Sequence, residues 1–185
     1  MTPAPGFYSS APAQDLRGSG QSRRRRRRAT YPDQRCTPMT QEISNREMEL
    51  GSGIAAFETR QFARAAGLLA PLADAGEPEA QYRIAIMAQN GLGMTANPEL
   101  AFRYMKAAAE AGIGLAQHGL GFMYLEGECT EKDSEKAVEW FRKAAEQGLA
   151  GSQTTLAMLY EEGRGVPKDM DEANRWYRMA GFEER

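Results

Sequence analysis

The sequence predicts an all-α protein, a solenoid of about four antiparallel helix pairs. Two observations predict it. Glycine, small and aromatic positions recur together at a spacing of 36 residues, which is the signature of a repeat architecture. Within each unit, apolar residues fall at helical spacing in two runs separated by turn signals.

The register is carried by many positions at once. Gly91, Gly127 and Gly163 are 36 apart, as are Gln81, Gln117 and Gln153. So are Ala101, Ala137 and Ala173, and Ala108, Ala144 and Ala180. Large apolar positions keep step: Ile84, Leu120 and Leu156; Met87, Met123 and Leu159; Tyr104, Trp140 and Trp176; Met105, Phe141 and Tyr177.

Each unit reads as two helices. In the unit that begins near Ala116, Leu120, Met123 and Tyr124 share one helical face, and Gly127 ends the helix because glycine takes the left-handed conformation without steric cost. Asp133 is placed to accept hydrogen bonds from the free N–H groups of the next helix. Ala137, Trp140, Phe141, Ala144 and Ala145 make the apolar stripe of that helix, and Gly148 ends it. Neighbouring units repeat the signals. Asn97 precedes Pro98, a cap followed by a proline at the first helical position. Asp169 with Glu172 resembles a capping box. Gly76 and Gly112 close helices as Gly148 does. A further pair, residues 44–58 and 61–75, follows the same plan with a tighter connection, and Ala65 aligns with Ala101. The expected pairs are about 44–76, 80–112, 116–148 and 152–181, within a repeat domain 39–185.

Residues 1–38 are different. They are rich in Pro, Ser, Gly and Arg and poor in large apolar residues, so they cannot bury enough surface to offset the entropy of ordering. They are expected to be a disordered leader. Their six consecutive arginines, Arg23 to Arg28, would suit RNA, DNA or an anionic surface. Equally, they could form a solvated tail, or precede a start at Met39, where the composition changes abruptly.

Charge and cysteine usage narrow the function classes. The chain carries a net −2, but residues 1–38 hold +6 and the remainder −8. An acidic repeat domain is a poor candidate for nucleic acid, whose phosphates require clustered Lys and Arg. The two cysteines, Cys36 and Cys129, lie in different regions and form no CxxC pattern, so no disulfide framework or cysteine metal site is expected. Free thiols fit a reducing compartment. No segment reaches the ~18 apolar residues of a membrane span, and no apolar signal core follows the N-terminus. A cytoplasmic protein is expected.

Catalytic and ligand-binding patterns are weak. His118 is the single histidine, whereas a histidine zinc site needs at least two at matching spacing. No nucleophile elbow G-x-S-x-G is present. Gly51-Ser52-Gly53-Ile54-Ala55-Ala56 matches a dinucleotide fingerprint in letters, but that fingerprint works only between a strand and a helix, and here a polar helical stretch precedes it. Gly91-Leu92-Gly93 and Gly163-Arg164-Gly165 are repeat turns. The adjacent Glu161 and Glu162 point about 100° apart on a helix, which suits a solvated end better than paired acid–base chemistry. No catalytic residue, metal or cofactor is expected.

The unit from Ala116 to Gly148, AQHGLGFMYLEGECTEKDSEKAVEWFRKAAEQG, resembles the Sel-one-like repeat, a relative of the tetratricopeptide repeat. The unit from Ser152 retains Leu156, Met158, Tyr160, Gly163, Gly165, Val166, Asp169, Ala173, Trp176 and Tyr177 of that pattern. The unit from Ala80 is more divergent, with Tyr104 in the tryptophan position. The first pair, with Ala56, Phe57, Phe62 and Ala65, is closer to an ordinary tetratricopeptide unit. The resemblance implies a right-handed α/α superhelix and a non-enzymatic scaffold or adaptor. Secreted members often carry a cysteine pair in each repeat, and Cys129 alone departs from that pattern.

The resemblance also implies that the first helix of each pair lines a concave face. By register this face holds Leu50, Ile54 and Phe57; Tyr82, Ile86 and Gln89; His118, Phe122 and Leu125; and Thr154, Met158 and Glu161. The stripe is apolar and aromatic enough to receive an extended or helical peptide, although some of these side chains could instead pack on the adjacent pair. The implied partner is a protein or peptide. The alternatives are nucleic-acid or anionic-surface binding through Arg23 to Arg28, and self-association through the last pair.

Overall fold

The computed structural model describes residues 38–182. Among them are eight helices and no strand: α1 (Pro38–Glu58), α2 (Phe62–Asp74), α3 (Pro78–Asn90), α4 (Pro98–Glu110), α5 (Gly114–Glu126), α6 (Ser134–Glu146), α7 (Ala150–Glu162) and α8 (Met170–Met179). Each packs on the helix before it and the helix after it, and α1 also meets α3. This is the expected all-α solenoid of four helix pairs. Helices α3 to α7 are 13 residues each, roughly 20 Å at 1.5 Å per residue, so a common length stacks into regular layers.

Two kinds of junction alternate, and each follows from the residues at it. Within a pair, the first helix ends on a left-handed glycine, Gly91, Gly127 or Gly163. The loop then returns, and the N–H groups of Asn97, Asp133 and Asp169 donate to the carbonyls of Ala88, Tyr124 and Tyr160. The side chains of the same three residues accept from the first free N–H groups of α4, α6 and α8. At Asp169 only half of the expected capping box forms. Its carboxylate accepts from Asp171 and Glu172, but the Glu172 side chain accepts instead from Arg175, because the Asp169 N–H already donates to Tyr160.

Between pairs no side chain caps the incoming helix. Glu77, Ile113 and Leu149 stand at the N-cap positions of α3, α5 and α7 without a side-chain hydrogen bond. The backbone turns through Gly76, Gly112 and Gly148, all at positive φ, and the next helix starts at once. Nothing polar marks the starts of α5 and α7, and at α3 the mark is Pro78 at the first helical position; the observed beginnings Pro78, Gly114 and Ala150 lie two residues ahead of those expected from the sequence.

The shared glutamine register has a structural role. Gln81, Gln117 and Gln153 are buried, and their Nε2 groups donate to the carbonyls of Ala73, Ala109 and Ala145 at 3.1–3.2 Å. Each of those carbonyls lies near the C-terminus of a second helix, where intrahelical partners run out. Each glutamine therefore ties one pair to the next.

The core runs between the helix rows. Ala65, Ala101, Ala137 and Ala173 are fully buried and let the backbones approach, while Leu69, Ile84, Met87, Leu120, Phe141 and Leu156 fill the space. The bulkiest of the fully buried side chains, Phe141, lies against Gly121, where an added Cβ would sit 2.9 Å from the ring. The glycine at 121 and the phenylalanine at 141 are a matched pair in volume.

The aromatic register is less uniform in burial than expected. Trp176 is buried and Tyr104 is buried with its hydroxyl donating to Asp74. Trp140 is only partly buried, with the Lys143 ammonium 3.8 Å from its ring centroid. Both tryptophans take part in the packing, Trp176 within the core and Trp140 against its margin, where a cation can cover its face.

Cys129 occupies the position 36 residues after Gly93 and 36 before Gly165. All three have positive φ, 67° and 75° at the glycines and 61° at Cys129. The Gly51 to Ala56 run lies inside α1, which confirms that its fingerprint letters do not form a strand-to-helix turn.

Candidate functional site

The twelve residues expected on the concave face fall on α1, α3, α5 and α7. Their exposures differ. On α1, Leu50, Ile54 and Phe57 are partly buried; Leu50 and Phe57 pack on the core, with the Phe57 ring edge-on to Phe62 at 5.8 Å. On α3, Tyr82, Ile86 and Gln89 are also partly buried, and Tyr82 and Ile86 lean on the same core. Burial raises the Tyr82 hydroxyl pKa above its ordinary value.

The last two pairs are more open. Phe122 on α5 is 40% exposed and Met158 on α7 is 47% exposed. Thr154 is partly buried and donates to the Ala150 carbonyl, while Glu161 is exposed and accepts from the Tyr177 hydroxyl at 2.9 Å. Leu125 is the exception. At 5% exposure it belongs to the core with Val138, Phe141 and Leu156. It lies three residues past Phe122, which turns it toward the neighbouring helices rather than the surface, so it is removed from the candidate face.

One residue was missed. Leu115 is 53% exposed and shares a helical face with His118 and Phe122 at i, i+3 and i+7. The spacing was visible, but the equivalent positions hold Glu79 and Gly151, so the repeat register hid it.

Phe122 is held in place. Its ring is edge-on to His118 at 4.9 Å and to buried Phe141 at 5.0 Å. His118 in turn is hydrogen-bonded through Nδ1 to Oγ of fully buried Ser152, 2.7 Å away. Burial pushes the His118 pKa below its ordinary value, so the imidazole is neutral near pH 7. The pair links α5 to α7. At the far end of the same helices, Arg164 reaches back to the Leu125 carbonyl at 3.1 Å and to Glu126 at 3.4 Å. The first helices of the last two pairs are thus joined at both ends, with Phe122 and Met158 on the stretches between.

Elsewhere, Ile43, Arg46, Glu47, Leu50, Leu72 and Glu77 line an open groove beside α1. Among the described residues, no group of three or more His, Cys, Asp or Glu side chains comes together to hold a metal, and no helix is long and apolar enough to cross a membrane. The arginines from Arg23 to Arg28 and Cys36 lie outside the described residues.

The pattern of the Sel1 repeat matches residues 78–113, 114–149 and 150–181. The chain belongs to the Sel1 repeat family. Two solved structures agree. A Sel1 repeat protein from Oxalobacter formigenes is 34% identical with a TM-score of 0.69, over 72% of this chain and 53% of that one. A protective antigen of uropathogenic Escherichia coli with an SLR fold is 31% identical with a TM-score of 0.70, over 77% of this chain and 32% of that one. This chain therefore spans about half and about a third of the lengths of those two Sel1 repeat relatives. No curated protein matches the sequence. The Sel1 repeat is generally a non-catalytic scaffold fold, and its members are typically protein-interaction scaffolds. The matched units begin at α3, so the α1–α2 pair stands ahead of the three Sel1 repeats.

Proposed function

We propose that this Sel1 repeat protein is a non-enzymatic adaptor that captures a partner protein or peptide on the inner face of its first-helix row, within the repeat domain 39–185. The observation that carries this reading is the exposure of Leu115, Phe122 and Met158 on α5 and α7, beside an aromatic ring already fixed by His118 and Phe141. An apolar surface that is preset loses little side-chain entropy on binding, and binding energy concentrates in a few such anchors. Tyr82 and Ile86 extend the face toward the N-terminal pairs. Free Cys129 supports a reducing, cytoplasmic setting for the same reading.

The test is affinity capture with the full chain as bait, comparing the parent with Phe122→Ala, Tyr82→Ala and, as an outer control, Glu139→Ala. A captured partner is expected to weaken roughly thirty-fold for each inner change, about 2 kcal/mol, and to be unaffected by the control. Retention by Phe122→Ala and Tyr82→Ala together, with helicity intact, contradicts the reading.

A further inference from the structure

Helices α5 and α7 end in the charge that a helix end disfavours. A helix C-terminus carries about half a negative charge from its unpaired carbonyls, and basic side chains ordinarily offset it. Of the second helices, α6 and α8 carry Lys143 and Arg178 in their last turns, while α2 and α4 end in Asp74 and Glu110 with no basic residue there. Helices α5 and α7 contain no Lys or Arg, and they finish with Glu126 and with Glu161 and Glu162. The Arg164 contacts with Leu125 and Glu126 bring these two ends together, with Glu126 at one and Glu161 and Glu162 at the other, while Lys132 and Lys168 follow beside the C-cap glycines. Helix α3 lacks this feature: it ends in Asn90, and its Glu79 is engaged by Arg83.

The acidic end continues directly from the apolar face. Leu115, His118, Phe122 and Glu126 lie at i, i+3, i+7 and i+11 on α5, one stripe of a helix. Thr154, Met158 and Glu162 lie at i, i+4 and i+8 on α7. One helical turn, about 5.4 Å, separates each exposed apolar side chain from its carboxylate.

We infer that this face selects a basic peptide segment: one apolar side chain seated on Phe122 and Met158, and a Lys or Arg within about four residues of it meeting Glu126, Glu161 and Glu162. The inference rests on the inner-face reading and adds the charge of the ligand to it. Glu126 meets Arg164 and Glu161 accepts from the Tyr177 hydroxyl, and a bound cationic group adds the positive charge that the last turns of these two helices lack.

The experiment uses the full chain to select from a displayed random peptide library at physiological salt, followed by anisotropy titrations with the synthetic winners. Winners are expected to pair an aromatic or aliphatic residue with Lys or Arg within about four positions. Combining Glu161→Gln with Glu162→Lys is expected to weaken them at least about tenfold, more salt is expected to weaken them further, and the Tm of that variant is expected to equal or exceed the parent's. Neutral or acidic winners that are lost on Phe122→Ala overturn the charge rule and leave the inner face standing. Winners indifferent to both Phe122→Ala and Met158→Ala overturn the inner face as well, and so does an empty selection. A fall in Tm on removing the two carboxylates assigns them to holding the fold and overturns the inference.

Discussion

His118 on α5 and Ser152 on α7 are hydrogen-bonded, Nδ1 to Oγ at 2.7 Å, beneath the exposed edge of Phe122. The contact spans two repeats, so it bears both on how the pairs hold together and on how firmly the candidate surface is set.

This pair makes stability pH-dependent in a stated direction. Burial lowers the folded-state pKa of His118, while the unfolded chain has the ordinary value of about 6.5. The unfolded state therefore binds the proton more readily, and the stability held above pH ~6.5 is lost as the pH falls from there to the folded-state pKa. Thermal melts between pH 8 and pH 5 are expected to show Tm falling below pH ~6.5. In His118→Gln, which can still hydrogen-bond Ser152, that part of the slope is expected to vanish. An equal slope in parent and variant would assign the pH effect to other groups.

Cys129 and Gly165 occupy equivalent left-handed turns but are expected to respond oppositely to substitution. A non-glycine residue in that conformation costs roughly 1–2 kcal/mol, so Cys129→Gly is expected to keep or raise Tm. At Gly165 an added Cβ would lie 2.3 Å from the Ser134 carbonyl oxygen, so Gly165→Ala adds a backbone clash to the strain and is expected to lower stability by about 2 kcal/mol or more. Differential scanning calorimetry of the two variants reads the contrast.

The two tryptophans are expected to separate. Trp176 is 7% exposed, and Trp176→Ala is expected to cost about 3–5 kcal/mol, a large share of a domain total of ~5–15 kcal/mol. Trp140→Ala removes a marginal ring and a cation–π contact with Lys143 and is expected to cost about 1–2 kcal/mol. Urea melts at matched concentration measure both, and equal losses would contradict the burial difference.

The glutamine tie is expected to act locally. Gln153→Leu removes the side-chain donor to the Ala145 carbonyl, which keeps the Gly148 N–H, a loss of roughly 0.5–1.5 kcal/mol. Hydrogen exchange is expected to rise first at the α6–α7 junction, and a uniform rise across all pairs would show that the tie has no local role.

The fold was legible because the solenoid reuses one set of positions. The glycine, alanine and aromatic registers each specify the same helix pair, and caps such as Asn97 and Asp133 are read directly from side-chain chemistry. The helix starts at Gly114 and Ala150 were less legible because no side chain caps them, and the start at Pro78 was marked only by the proline itself. The glutamine positions were visible as a repeat, but their bonds to carbonyls eight residues earlier depend on how one pair docks on the last. At the candidate surface, register placed residues on the first helices of the pairs but could not rank their exposure. Leu125 and Phe122 are three residues apart on one helix, and only packing against α6 and α7 decides that the first is core and the second is surface. Arg164 and Leu115 emerged only from the folded arrangement, one by reaching back across a repeat and the other by departing from its register.

Three methionines provide the most direct test of the inner face, because they have similar exposure in different places: Met158 on α7 at 47%, Met170 and Met179 on α8 at 44% and 51%. Hydroxyl-radical footprinting of the full chain, free and saturated with a captured partner or selected peptide, reads the oxidation of each by mass spectrometry. Inner-face binding predicts protection of Met158 with Met170 and Met179 unchanged. Protection of Met170 and Met179 with Met158 left fully reactive would contradict it.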